Sequence, residues 1–335
     1  MVCGLKIPED VRQLLHCPIC TSPLLAADTR FECTNEACSG SFPIIGGVPI
    51  LLNESNSLFS IDDVDSHSPG ASRESRLQQA VVRRLPSSSY SPIAENNYQQ
   101  FGRLLLNGRP SARVLIVGGS ILGKGMEALL SLDQVELIET DVTFGPRTQV
   151  ICDGHDLPFI DRSFDGVVAQ AVLEHVVDPA RCVAEMHRVL IDEGLVYAET
   201  PFMQQVHLGR YDFTRFTYLG HRRLFRRFDE IDSGLVAGPG TVLAWSYEHL
   251  LLSFVSGRKL RRAVKAFARL TGFWLKYFDV LVARKPGALD AASGYYFLGR
   301  KSEHTLSDRQ LIKLYRGAQK NDGVRPITPE RNQTG

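Results

Sequence analysis

The sequence predicts an α/β chain in two unequal parts: a small cysteine-held unit at the N-terminus and, beyond a polar linker, a parallel sheet covered by helices on both faces. Three observations carry this. Cysteines stand at 17, 20, 33 and 38 within one short stretch. Residues 53–91 are rich in Ser, Asp and Pro. From Arg113 onward, apolar strand-like runs alternate with helical patterns, the order that builds parallel βαβ layers. The totals agree, since 335 residues correspond to about two domains. An apolar share of 44% with 22% charged residues excludes collagen-like, coiled-coil and wholly disordered chains. Thirty-eight Lys and Arg against 37 Asp and Glu leave +1, so no global basic field marks a nucleic-acid binder.

The start, MVCGLKIPED, sets two acids ahead of any apolar run, unlike a secretory signal. The most apolar stretch, Leu243 to Val255, is broken by Ser246, Glu248, His249 and Ser253, short of the roughly 20 apolar residues of a spanning helix. A cytoplasmic protein with reduced cysteines is expected.

The first element is the cysteine unit. Cys17 and Cys20, then Cys33 and Cys38, give C-x2-C-x12-C-x4-C. Two cysteine turns joined by a strand-turn-strand fold together around one tetrahedral Zn²⁺, and four thiolates leave no open position, so the role is structural. A unit of about 50 residues buries too little core to stand alone, and zinc binding supplies the missing folding free energy. Cys3, Cys152 and Cys182 stand apart and read as buried small residues. Gly46-Gly47 marks a turn between two short apolar runs in SFPIIGGVPILL. The set CPIC, FEC, C and FPIIGGVPILL, over residues 11–52, resembles the small zinc-ribbon proteins that partner and activate tRNA and protein methyltransferases. The resemblance implies a zinc ribbon over residues 1–52 beside a methyltransferase, which the same chain should supply.

Residues 53–91 read as a linker with a short helix at Leu77 to Leu85. The larger domain, 92–303, follows with RVLIVG, KGMEALLSL, VELIET, TQVIC, FDGVVAQ, PARCVAEMHRVL and LVYAET. Ligands of such sheets bind at the C-terminal strand ends near the switch point. The first strand ends in Gly118-Gly119-Ser120, with Gly123 and Gly125 beyond. Glycines there let the backbone approach a ligand and turn the next amides toward it. Alone, this loop fits a nicotinamide dinucleotide, a nucleotide sugar, S-adenosylmethionine or a plain tight turn. The second strand ends at Glu139 and Asp141, where an acid accepts the ribose hydroxyls of an adenosine. Asp153 follows the third strand, where a carboxylate takes the adenine amino group.

Next come LPF, SFD, LEHV, DP, RVL and a strand. That order, over residues 112–202, resembles the class I S-adenosylmethionine-dependent methyltransferases of the type 11 group. The resemblance implies a Rossmann-like sheet of seven strands, the last antiparallel. It places Gly118, Gly119 and Ser120 on the loop cradling the methionine end and Asp141, rather than Glu139, on the ribose. Asp153 and Gly154 fall on the adenine contact, and Gln170 beside the methionine and sulfonium region. Glu174 and His175 fall on an element the family uses for packing and capping. One position departs: two residues before the first glycine, where the family carries an acid, stands Ile116.

The loop after the fifth strand borders the methyl group in this fold, and here it carries His207, Tyr211, Asp212 and Arg215. Methyl transfer is an in-line displacement that needs a nucleophile near the sulfonium and water kept away. Histidine is the side chain suited to proton transfer at physiological pH, and His207 is the candidate general base. Asp212 is placed to orient it or accept a proton, and Tyr211 and Arg215 to bind a polar or anionic acceptor. Asp212 and Arg215 also read as a local ion pair fixing the loop.

Residues 242–285 insert helices before the last strand, with nine basic residues against two acids among bulky apolar ones such as Phe254, Phe267, Trp274, Phe278 and Leu281. They read first as a lid over the sheet. Contact with an anionic membrane surface or a lipid-linked substrate is a further expectation. In the tail, 304–335, Ser307 caps a helix and the rest reads as disordered.

The function expected is methyl transfer from S-adenosylmethionine to a small-molecule acceptor, lipid-linked, sugar or polyketide-like. The alternatives are an RNA methyltransferase, disfavoured by neutral charge and the lack of a stacking platform, and a non-catalytic methyltransferase-like partner, suggested by Ile116.

Overall fold

The computed structural model describes residues 4–66 and 93–318. The helix expected at Leu77 to Leu85 lies outside them. Two sheets form. The first joins β1 (Leu24–Ala26), β2 (Arg30–Cys33), β3 (Ser41–Ile45) and β4 (Val48–Pro49) in chain order, each antiparallel to the next. Between β3 and β4, Gly46 and Gly47 take φ of +58° and +80°, the left-handed pair that a two-residue hairpin turn of this hand requires.

The second sheet holds seven strands: β5 (Ala112–Val117), β6 (Val135–Asp141), β7 (Val150–Ile151), β8 (Phe164–Gln170), β9 (Leu190–Pro201), β10 (Phe228–Ala237) and β11 (Gly294–Lys301). Their order is β10-β11-β9-β8-β5-β6-β7. β5 through β9 run parallel, and β11 runs antiparallel to both neighbours, so it alone is reversed. The seven strands with the last reversed are as the sequence predicts.

A strand buried on both faces is apolar at every position, and β5 divides its residues accordingly. Leu115 and Val117 join one core with the helix Pro179–Val189, while Val114 and Ile116 join another with Tyr98, Phe101 and Leu105 of the helix Ile93–Leu105. Asp178 caps the helix Pro179–Val189 by accepting from Arg181 N, with Pro at the first turn.

The ribbon shares the first core through Cys17, Phe31, Phe42 and Leu51. It also caps a sheet edge. Ile50 bridges Ile151 of β7 in parallel, and Leu51 N donates to Ile151 O at 2.8 Å. An open edge strand is thereby closed by the same chain.

The insert between β10 and β11 is a helical hairpin, Pro239–Ser253 against Arg258–Gly272, continued by Phe273–Tyr277 and Phe278–Val282. Its pin is Asp279, buried, whose carboxylate accepts from the amides of Gly238, Gly240 and Thr241 and from the Thr241 hydroxyl. That places a negative charge on the positive end of a helix. Buried Glu248 faces Lys265 and Arg269 at 3.4 and 3.3 Å. Phe254, Phe267, Leu270, Trp274, Phe278 and Leu281 stay exposed. The insert therefore turns much of its apolar side outward instead of laying all of it on the sheet. Ser307 makes a capping box with Gln310 on the helix Asp308–Ile312. Among the described residues no helix is long and apolar enough to cross a membrane.

Candidate functional site

Every residue carried over to the cofactor lies at the C-terminal ends of β5 through β8, on one rim. Gly118 has φ +77°, and a Cβ there would meet Val172 Cγ2 at 2.4 Å, so this position admits only glycine. Ser120 N donates to Asp141 Oδ2 at 3.0 Å, and Asp141 Oδ1 accepts from the amide and hydroxyl of Thr143, both at 2.9 Å. Asp141 thus ties the glycine loop to its own strand end. Glu139 is buried and bonded to Arg147, and burial pushes its carboxyl pKa up.

Asp153 is nearly saturated. Its Oδ1 accepts from His155 N at 3.0 Å and His155 Nδ1 at 2.6 Å, and its Oδ2 accepts from the Ser57 hydroxyl at 2.6 Å. Burial pushes this carboxyl up, but the bonds from His155 and Ser57 outweigh it and hold the pKa below the ordinary carboxylate value. A Cβ on neighbouring Gly154 would lie 2.9 Å from Cys182 Sγ. Gln170 sits in a closed network: its amide donates to Glu199 Oε2 at 2.9 Å and Lys124 O at 3.1 Å, and its carbonyl accepts from the Tyr98 hydroxyl at 3.0 Å. It thereby fixes the end of the glycine loop. Ile116 is buried in the core on the helix Ile93–Leu105 side.

The loops after β8 and β9 bring the acceptor-side residues together. Asp212 accepts from His207 N at 3.0 Å, pairs with Arg215 and lies 3.5 Å from His207 Nδ1. The Arg215 guanidinium, helped by the His207 amide against burial, holds its pKa down to about 2. Arg215 also donates to the carbonyls of Gln204 and Gln205, so the ion pair does fix the loop. Tyr211 stacks between Phe59, with ring centroids 5.5 Å apart, and the Arg210 guanidinium at 4.8 Å. With Leu58, Val64, Val142, Thr143 and Phe213 it lines a cavity of about 600 Å³, within the range of small-molecule sites.

Sequence reasoning missed Ser57 and Phe59, hidden in a stretch whose composition reads as linker. It also gave Glu174 a packing role only. Glu174 is fully buried, neither carboxylate oxygen accepts a hydrogen bond among the described residues, and burial pushes its pKa up to about 7. Gln205 Nε2 reaches Ser246 Oγ at 3.2 Å, so the insert touches this loop.

In the ribbon, Cys17 and Cys38 Sγ lie 3.8 Å apart and Cys20 and Cys33 Sγ 3.3 Å apart, and all four lie within 4.8 Å of one another. Zinc at about 2.3 Å from each sulfur has tetrahedral edges of about 3.8 Å. The four thiols, none in a disulfide, fit that ion.

Residues 128–198 match the family described as methyltransferase domain, type 11. Among solved structures, similarity extends to the [4+2]-cyclase SpnF, at 17% identity over 64% of this chain and 84% of that one, with a TM-score of 0.39. A putative sarcosine dimethylglycine methyltransferase from Galdieria sulphuraria matches at 15% identity over 63% and 84%, TM-score 0.41. The Burkholderia thailandensis 1,6-didemethyltoxoflavin-N1-methyltransferase, bound to 1,6-didemethyltoxoflavin and S-adenosylhomocysteine, matches at 16% over 63% and 79%, TM-score 0.37. No curated protein sequence matches the chain. The matched span runs from the helix Glu127–Leu130 through most of β9, inside a seven-strand sheet with one reversed strand, and so the chain carries a Rossmann-like methyltransferase fold, its family match lying over residues 128–198, beside a four-cysteine unit of zinc-ribbon form.

Proposed function

We propose that this protein transfers a methyl group from S-adenosylmethionine to a small-molecule acceptor with an apolar, lipid-like portion. The observation that carries the reading is the single rim on which Gly118–Ser120, Asp141 and Asp153 meet. When bound, S-adenosylmethionine supplies an electrophilic methyl carbon on a sulfonium. Gly118, Gly119 and Ser120 would offer backbone to the methionine end, Asp141 would accept the ribose hydroxyls, Asp153 and Gly154 would hold adenine, and Gln170 keeps the glycine loop in register. On the acceptor side His207 removes the proton, Asp212 behind it favours the imidazolium that results, and Tyr211 and Arg215 frame the polar end. The outward apolar side of the insert, flanked by Arg258, Arg261 and Arg262, supports a lipid-linked acceptor reached at an anionic membrane surface.

Buried Ile116 and the Ser57 bond on Asp153 favour one other reading, a partner protein that binds the cofactor weakly. Calorimetry with S-adenosylmethionine separates the two. Labelled methyl transfer into a lipid extract, with total RNA as the competing acceptor, then tests the substrate class; transfer to RNA alone overturns it. His207→Ala should abolish turnover and leave cofactor binding intact.

A further inference from the structure

Two short loops converge on a buried carboxylate that lacks a hydrogen bond. Glu174 follows β8, and its side chain is fully inaccessible with neither oxygen hydrogen-bonded among the described residues. Two imidazoles face it: His175 Nε2 and His207 Nε2 each lie 3.7 Å from Glu174 Oε1. That is too long for a hydrogen bond. The two rings meet edge to face with centroids 4.7 Å apart, and one ligand atom from each of the three residues falls within a 4.8 Å group.

The outward nitrogen of each ring faces an acceptor oxygen. His175 Nδ1 donates to Tyr211 O at 2.8 Å, which leaves a lone pair on Nε2. His207 Nδ1 faces the Asp212 carboxylate at 3.5 Å, and Asp212 is itself fixed by Arg215 and by the His207 amide. A histidine whose far nitrogen is held by a carbonyl or a carboxylate is the usual arrangement around a metal. An unbonded carboxylate buried between two such rings otherwise bears its full desolvation cost.

We infer that Glu174, His175 and His207 bind a divalent first-row transition ion. Two imidazoles and one carboxylate suit zinc, iron or cobalt over magnesium or calcium, which prefer all-oxygen sets. An ion about 2.1 Å from each donor sets the donors roughly 3.0–3.4 Å apart. The 3.7 Å separations need a few tenths of an ångström of contraction. His207 is one-third exposed and gives the ion an entry path. Three protein ligands leave a coordination position open, unlike the ribbon.

This inference does not rest on methyl transfer. It places a different demand on one atom, since His207 Nε2 serves either as a base or as a ligand. The test is a Co²⁺ titration of the full-length zinc-loaded protein, followed by visible absorption and calorimetry without cofactor. The expected result is one equivalent bound, with the ligand-field spectrum of a nitrogen and oxygen site and no sulfur-to-metal charge-transfer band. Glu174→Gln and, separately, His207→Ala should each weaken binding at least 100-fold while ribbon zinc content is unchanged. Asp212→Asn should weaken it about tenfold. Should Glu174→Gln fail to fold, His207→Ala, at the accessible ligand, decides alone. No binding by the parent, equal binding by the ligand variants, or a cobalt spectrum carrying only the thiolate band overturns the site. Cobalt binding together with no methyl transfer by the cobalt-free protein overturns the catalytic proposal and leaves this one standing.

Discussion

The hydroxyl of Ser57 donates to Oδ2 of Asp153 at 2.6 Å, so the chain leaving the ribbon is fastened to the loop assigned to adenine. Under the proposed assignment, an incoming adenine amino group would compete with the serine for this oxygen. Ser57→Ala should therefore tighten S-adenosylmethionine binding by roughly tenfold, the worth of a hydrogen bond to a charged group, as read by calorimetry. A weaker or unchanged Kd would mean that Asp153 does not face the cofactor through that oxygen.

Zinc should matter to more than the ribbon, because Cys17, Phe31 and Phe42 share one core with Leu115 and Val117 of β5. Cys33→Ser, or zinc removal by a strong chelator, should lower the melting temperature of the whole protein by at least about 5 °C, given roughly 2–4 °C per kcal/mol for domains of this size. Differential scanning calorimetry checks it. A separate, early ribbon transition with the main peak unmoved would refute the shared core.

Acid sensitivity should trace to His221. It is buried in the helix Tyr218–Leu224 with its ring edge-on to Phe225, and its Nε2 has no hydrogen-bond partner among the described residues. Burial, reinforced by the charge of Arg222, pushes its pKa down to about 3 from 6.5. A lowered base stays neutral in the folded protein while the unfolded chain takes up a proton. The associated stability is thus present above pH 6.5 and is lost as pH falls toward 3, at about 1.4 kcal/mol per pH unit. His221→Leu should flatten that part of the stability profile between about pH 6.5 and 4, measured by urea unfolding. Parallel profiles for variant and parent would exclude the assignment.

Membrane contact by the insert has its own readout. The protein should co-sediment with anionic phosphatidylserine vesicles at low salt and release as salt rises, because basic side chains near such a surface contribute about 1 kcal/mol each. Leu270→Glu with Trp274→Glu, both exposed, should abolish sedimentation without lowering the melting temperature. Absence of binding at low salt would leave the apolar side of the insert without this role.

The sheet was legible because strands buried on both faces must be continuously apolar, as VLIV and GVVA are, and the ribbon because four cysteines at that spacing point to one metal site. The acceptor side was half legible. The Asp212–Arg215 pair and the nearness of His207 follow from short sequence separations. The approach of His207 to Glu174 joins two loops, 33 positions apart, that only the β8–β9 pairing brings together. Ser57 and Phe59 stayed hidden for another reason. Composition reports what a segment can dissolve in, and a polar run that packs through one hydroxyl and one ring looks the same as one that packs through nothing.

The bridge from Ile50 to Ile151 has a consequence for stoichiometry. A ribbon supplied as a separate chain would be lost from the β7 edge on dilution, and the fraction of capped sheet would follow its abundance. Tethered by covalent chain, it sits at an effective concentration of order millimolar whatever the protein level. Capping is then independent of expression balance between two genes, and only metal supply remains to regulate it.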